Sequence, residues 1–207
     1  YRVDVVTGAA TLLRTGGVRG LDAAAVCERT GRVVFAASNA AGGTESWTSD
    51  GTAAGTRPLM DVAPGAAGST PSGFAEFGGE VYFGAIPDAG TGLVLYKTDG
   101  TEAGTTRVQT LGGGGEVIQS VKFAGQLVFV AGYAFSGRLW STDGTSEGTR
   151  VVSTVQPSGH WDIAVVPLRP RRLLVDGGRL YVSGSEEYIG DPDVLENTAS
   201  QVWRLDE

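Results

Sequence analysis

A single cysteine, Cys27, leaves no internal disulfide framework to hold this 207-residue chain together. Its setting, AAAVCERT, reads as a strand in which the thiol serves as a small buried apolar group. Lysine is nearly absent, at positions 97 and 122 alone, and the arginines form no basic stripe. With a net charge of −7, the chain does not fit a general binder of nucleic acid or anionic membrane. No apolar run approaches the roughly 18 residues of a spanning helix, so membrane insertion by that route is not expected. No stretch sustains a helical i, i+3, i+4, i+7 pattern with caps. GLDAAAVCERTG comes nearest and is too short. The chain starts without Met in what reads as a strand and shows no leader pattern, which fits a processed or excised segment of a longer chain.

Glycine, by contrast, is abundant: 33 Gly with 8 Pro make about a fifth of the residues turn-forming. The 41% hydrophobic residues gather in short runs such as Val81-Tyr82-Phe83 and Leu127 to Val130, which argues for a folded chain of short strands. One octet recurs three times, in WTSDGTAAGTR (47–57), YKTDGTEAGTTR (96–107) and WSTDGTSEGTR (140–150). In each an aromatic precedes Asp by three residues: Trp47/Asp50, Tyr96/Asp99 and Trp140/Asp143, with weaker echoes at Tyr1/Asp4 and Trp203/Asp206. Successive Asp spacings are 46, 49, 44 and 63. Upstream of each octet stands a small-residue turn followed by an apolar run, as in GRVVFAAS, GGEVYFGAI, AGQLVFVAG and GGRLYVSGS.

One repeat therefore reads as four strands. In the second repeat they are 73–78, 80–86, 92–98 and 105–111. A 44–49-residue repeat of four short antiparallel strands predicts an all-β chain of β-propeller type, with four-stranded blades and about four repeats. The units fall at roughly 1–16 (partial), 17–62, 63–111, 112–154 and 155–207, the last without its fourth strand. Residues 1–207 then form one propeller domain or a propeller segment. Either ATLLRT (10–15) completes the last blade beside QVWRL (201–205) and closes a four-bladed ring, or the segment belongs to a larger ring.

Leu139-Trp140-Ser141-Thr142-Asp143-Gly144-Thr145 with Gly148-Thr149, and Leu95-Tyr96 with Asp99 to Thr105, resemble the bacterial ELWxxDGT repeat. The first copy departs from it, with Glu45-Ser46 before Trp47, and the fourth lacks the turn. The resemblance implies a propeller-like repeat from large secreted or surface bacterial proteins, hence an extracellular or cell-surface location. It implies no particular activity.

The octet itself has the chemistry of a turn between the third and fourth strands of a blade. Asp50, Asp99 and Asp143 can accept from backbone N–H groups two residues on, and Gly51, Gly100 and Gly144 supply positive φ. Thr52, Thr101 and Thr145 can bond locally. The second glycine (Gly55, Gly104, Gly148) is expected to be left-handed, returning the chain to the next strand. Calcium is the competing reading, but one Asp and at most one further acid per octet fall short of its six to eight oxygens. No Lys or helix accompanies the turn, as a phosphate cradle requires. No cofactor is expected, with calcium held open.

Function is expected where the repeats differ. The link 155–174 carries His160, Trp161 and Asp162, followed by Arg169, Arg171 and Arg172; the long loop 185–200 carries Glu187, Tyr188, Asp191 and Asp193. Both belong to the loop face opposite the octets, where Trp161 and Tyr188 would stack on a sugar or anchor a protein, with charges at the rim. The plainer alternative is a long solvated loop with Trp161 packed on a blade edge. Asp191 and Asp193 are also candidates for calcium. The leading expectation is a non-catalytic binding or scaffolding module with a protein or glycan partner, and neither nucleic acid nor membrane insertion. The alternatives are a carbohydrate-active hydrolase or lyase using Glu28, Glu76 or Glu116, and a spacer within a longer array. The lone His has no nucleophile motif beside it.

Overall fold

The computed structural model describes residues 2–3, 10–12, 24–38, 43–64, 68–133, 137–152, 169–185 and 200–205. The chain is all-β, and its strands follow sequence order within each sheet, as in propeller blades. It divides into two compact units, Tyr1–Glu116 and Val117–Glu207.

The first unit opens with a short antiparallel pair, β1 (Arg2–Val3) and β2 (Ala10–Thr11). A four-stranded meander follows: β3 (Ala24–Cys27), β4 (Arg32–Ser38), β5 (Thr44–Ser49) and β6 (Arg57–Met60). The next repeats it with β7 (Ser72–Phe77), β8 (Glu80–Ala85), β9 (Leu93–Thr98) and β10 (Thr106–Gly112). The second unit holds the meander β11 (Glu116–Phe123), β12 (Gln126–Gly132), β13 (Arg138–Thr142) and β14 (Arg150–Val151). Last comes a sheet with three strands among the described residues: β15 (Arg169–Asp176), β16 (Arg179–Ser185) and β17 (Ser200–Leu205). The stretch that came nearest to a helix thus contains β3. Ala24 and Ala25 before the Val-Cys pair extend readily when a paired strand, β4, lies alongside.

The aromatic of each octet faces the second strand of its own blade. Phe35, Phe83 and Phe129 are the cross-strand partners of Trp47, Tyr96 and Trp140, and in the last sheet Val182 is that of Trp203. The ring centroids lie 6.5, 5.5 and 6.4 Å apart, the latter two pairs stacked. Each unit also has a core shared by its two blades. In the first unit Cys27, Val34, Leu59 and Val62 pack with Val81, Phe83, Val94 and Tyr96, all buried. In the second, Val128, Val130 and Leu139 pack with Leu173, Leu180 and Val182.

One expectation changes at β15. Residues 169–174 are strand, not link, so Arg169 and Arg172 are paired in register opposite Ser185 and Ser183 of β16. Pro170 stands next to a register shift, between it and Arg172, in a strand at the edge of its sheet among the described residues, the setting in which a strand tolerates proline.

Candidate functional site

The three octets fold alike, through the same six hydrogen bonds. Thr52, Thr101 and Thr145 donate their backbone N–H to Oδ1 of Asp50, Asp99 and Asp143 at 3.0, 2.8 and 2.9 Å. Their hydroxyls donate to the same oxygen at 2.7, 2.6 and 2.7 Å. Each of these hydroxyls in turn accepts from the second glycine, Gly55, Gly104 or Gly148, at 2.9, 3.0 and 2.9 Å.

A second chain of bonds closes the turn from behind. The N–H of Gly51, Gly100 and Gly144 donates to the hydroxyl of Ser49, Thr98 and Thr142 at 3.1, 2.9 and 3.0 Å. That hydroxyl meets the hydroxyl of Thr56, Thr105 or Thr149, at 2.7 Å in every copy. The last hydroxyl donates to the carbonyl of Thr52, Thr101 or Thr145 at 2.6, 2.6 and 2.5 Å. Because that proton is committed to a carbonyl, the hydroxyl pair is ordered: Ser49, Thr98 and Thr142 donate and their partners accept.

One glycine behaves as expected and the other does not. Gly51, Gly100 and Gly144 have φ of 84°, 88° and 96°, the left-handed region that favours glycine. Gly55, Gly104 and Gly148 are not left-handed, contrary to expectation. Their requirement is steric: a Cβ there would stand 1.9, 2.1 and 2.1 Å from Oδ1 of the octet Asp. The second glycine makes room for the carboxylate.

Electrostatics follow from these donors. The Thr52, Thr101 and Thr145 hydroxyls, reinforced by their backbone N–H groups, hold the carboxyls of Asp50, Asp99 and Asp143 below the ordinary value of 3.8. Partial burial works against the lowering, and Arg32, Arg29 and Arg150 respectively add a smaller attraction. Oδ1 of each octet Asp thus accepts two hydrogen bonds from groups fixed as donors. Among the described residues no three of His, Cys, Asp and Glu assemble as a metal-ligand set.

His160, Trp161, Asp162, Glu187, Tyr188, Asp191 and Asp193 lie outside the described residues. Of the acids considered for hydrolysis, Glu28 and Glu116 are exposed, and Glu76 Oε1 accepts from the Gly79 N–H at 2.8 Å.

Two further carboxylates went unrecognised in the sequence. Glu45 is only 3% exposed, yet it takes four donors from the link that follows β6. Oε1 accepts from Ala63 N (3.2 Å) and Ser69 N (2.9 Å), and Oε2 from Val62 N (3.4 Å) and Ser69 Oγ (2.6 Å). Thr44 O accepts from Thr70 N at 3.1 Å beside it, so the start of β5 straps the link down. The sequence did carry a signal, an acid two residues from the inward-facing Trp47, since strand alternation turns both to the same side. Asp88, in the β8–β9 loop, accepts from Gly90 N, Thr91 N and Thr91 Oγ1 at 2.9, 2.8 and 2.7 Å. The Thr91 hydroxyl is the main cause of its lowered pKa.

No protein-family model and no curated protein matches the chain. Among solved structures it is similar to TolB from Acinetobacter baumannii, at 16% identity and a TM-score of 0.46, over 89% of this chain and 45% of that one. It is also similar to an α-L-arabinofuranosidase (CtGH43) from Clostridium thermocellum, at 14% identity and a TM-score of 0.36, over 79% of this chain and 60% of that one. The chain thus spans about half the length of these structures, and likeness at this level says nothing about activity.

Proposed function

We propose that the chain is a non-catalytic binding or scaffolding module of a secreted or cell-surface bacterial protein. In this reading its octets belong to the ELWxxDGT type of repeat. It recognises a protein or glycan through the loop face opposite the octets, with residues 155–168 and 186–199 supplying the contacts. One observation carries the reading: the three octets engage one oxygen of each Asp, and their hydroxyls, in the same internal bonds, so the most distinctive residues of the chain serve the fold. Recognition is then left to residues the repeat does not require. Engagement of Glu76 by the Gly79 N–H supports a structural role for that acid over a catalytic one.

The test compares the intact chain with a variant in which residues 186–197 are replaced by a Gly-Ser linker. Both are applied to an array of purified bacterial and plant polysaccharides, with folding checked by circular dichroism. The expected result is glycan binding by the intact chain that drops at least about tenfold in the folded variant, the loss of about 1.4 kcal/mol or more of contact energy. Unchanged binding rejects the 186–197 loop as the site. Failure of the intact chain to bind any glycan rejects a glycan ligand. Release of sugar products, lost on Glu76→Gln or Glu116→Gln, replaces this reading with a hydrolase or lyase.

A further inference from the structure

The hairpin turns between first and second strands are not alike. β7 and β8 are joined by two residues, Gly78-Gly79, with Phe77 opposite Glu80; β15 and β16 by Gly177-Gly178, with Asp176 opposite Arg179. β11 and β12 are likewise separated only by Ala124-Gly125. In the first blade, Cys27 stands opposite Arg32 and the turn has four residues, Glu28 to Gly31.

The longer turn reaches the second blade. Arg29 N and Cys27 Sγ donate to the Gly79 carbonyl at 3.1 and 3.0 Å. Thr30 Oγ1 donates to the Asp99 carbonyl at 2.6 Å, and the Arg29 guanidinium stands 3.7 Å from Glu80 Oε1. From β5, the fully buried Thr48 donates its hydroxyl to the Gly100 carbonyl at 2.9 Å. Inside the second octet the side chains satisfy N–H groups, which leaves the Asp99 and Gly100 carbonyls to face the neighbouring blade. The first blade also presses against Gly100, where a Cβ would lie 2.8 Å from Arg32 Cβ.

We propose that the second octet is, besides a turn, the socket by which the second blade receives the first, and that residues 28–31 with Thr48 are the matching hook. The partner this surface fits is a blade that presents a four-residue turn and a hydroxyl on its third strand. The other described turns between first and second strands are two residues shorter. Blades 1 and 2 consequently open together, because the hook ties the first blade to the turn that holds β9 to β10. In the second unit, Gln119 on β11 donates to Leu173 O and accepts from Leu173 N, both at 2.9 Å.

Native-state hydrogen exchange on the whole chain tests the proposal, with the amides of the three octets followed separately. Thr48→Val keeps the shape of the side chain but leaves the buried Gly100 carbonyl without its donor. It is expected to speed exchange at Thr101 and Gly104 about tenfold, and the more exposed Thr30→Val about fivefold or less. The octets at 50–56 and 143–149 should keep their rates, and Thr48→Ser, which restores the hydroxyl, should return the second octet most of the way to wild type. Replacing residues 28–31 with Gly-Gly should accelerate exchange across β9 and β10 as well. Equal acceleration in all three octets would mean general destabilisation and overturn the socket. So would unchanged exchange at Thr101 and Gly104.

Discussion

Gly104→Ala puts the steric reading of the octet to a quantitative test. The backbone there is not left-handed, so alanine is conformationally acceptable and by itself should stabilise by about 0.4–1 kcal/mol through the unfolded chain. The new Cβ, however, would lie 2.1 Å from Asp99 Oδ1 and 2.3 Å from Cγ, a clash that only a rotation of the Asp99 side chain relieves. Rotation breaks both bonds from Thr101 to Oδ1, at 2.8 and 2.6 Å. Two charge-assisted hydrogen bonds at a half-exposed site, discounted for solvent screening, are worth about 2–3 kcal/mol together. Set against the entropic gain, Gly104→Ala should cost about 1–2 kcal/mol. The deciding comparison is Asp99→Ala, which loses the same bonds, and the double variant. Once the carboxylate is gone, the three atoms nearest the new Cβ go with it, so the double variant should be no less stable than Asp99→Ala alone. Urea unfolding of the three variants gives a coupling energy of about 1.5–3 kcal/mol. Additive single effects would refute the reasoning and return the second glycine to a purely backbone role.

Two other predictions concern carboxylates. Glu45→Gln keeps the size of the side chain but turns an NH2 group toward donors that need an acceptor; it should cost about 2–4 kcal/mol in urea unfolding, because the site is buried and every partner is a donor. Asp50, Asp88, Asp99 and Asp143 have folded pKa values below 3.8, so their contribution to stability is fully present above that ordinary value and is lost as pH falls through the lowered ones. Unfolding midpoints should be flat above about pH 5 and fall below pH 4, and Asp99→Asn should lessen the fall; an unchanged pH profile in that variant would show that Asp99 titrates alike in both states.

How far the sequence reaches depends on the range of each interaction. The blades were legible because their signals are local: an aromatic three residues before Asp, an apolar run after a small-residue turn, a spacing of 44 to 49 residues. Strands expected at 73–78, 80–86, 92–98 and 105–111 stand at Ser72–Phe77, Glu80–Ala85, Leu93–Thr98 and Thr106–Gly112. The Asp–Thr half of the octet was equally readable, since its partners are two residues apart. The second glycine was not, because it answers to a side chain five residues back, and such contact leaves no mark on φ. Ser49 with Thr56, Thr98 with Thr105 and Thr142 with Thr149 show a middle case. A hydroxyl residue recurs seven positions after another in all three copies, but only the folded turn reveals that the two meet.

Longer range defeats pattern altogether. Glu45 takes partners 17 to 24 residues away, in a link with no repeat equivalent to compare. Thr30 reaches 69 residues, to the carbonyl of a motif whose own sequence is complete without it. A repeated motif therefore discloses the bonds inside a blade and conceals those between blades. The inside bonds recur in every copy and stand out by repetition. A blade contact such as the hook occurs once among the described residues of the first unit, and in the sequence it shows only as a turn two residues longer than its counterparts. The same asymmetry bears on function: if recognition lies in the irregular link and loop, repetition cannot disclose its chemistry, and the octets point to it only because the bonds they share serve the fold.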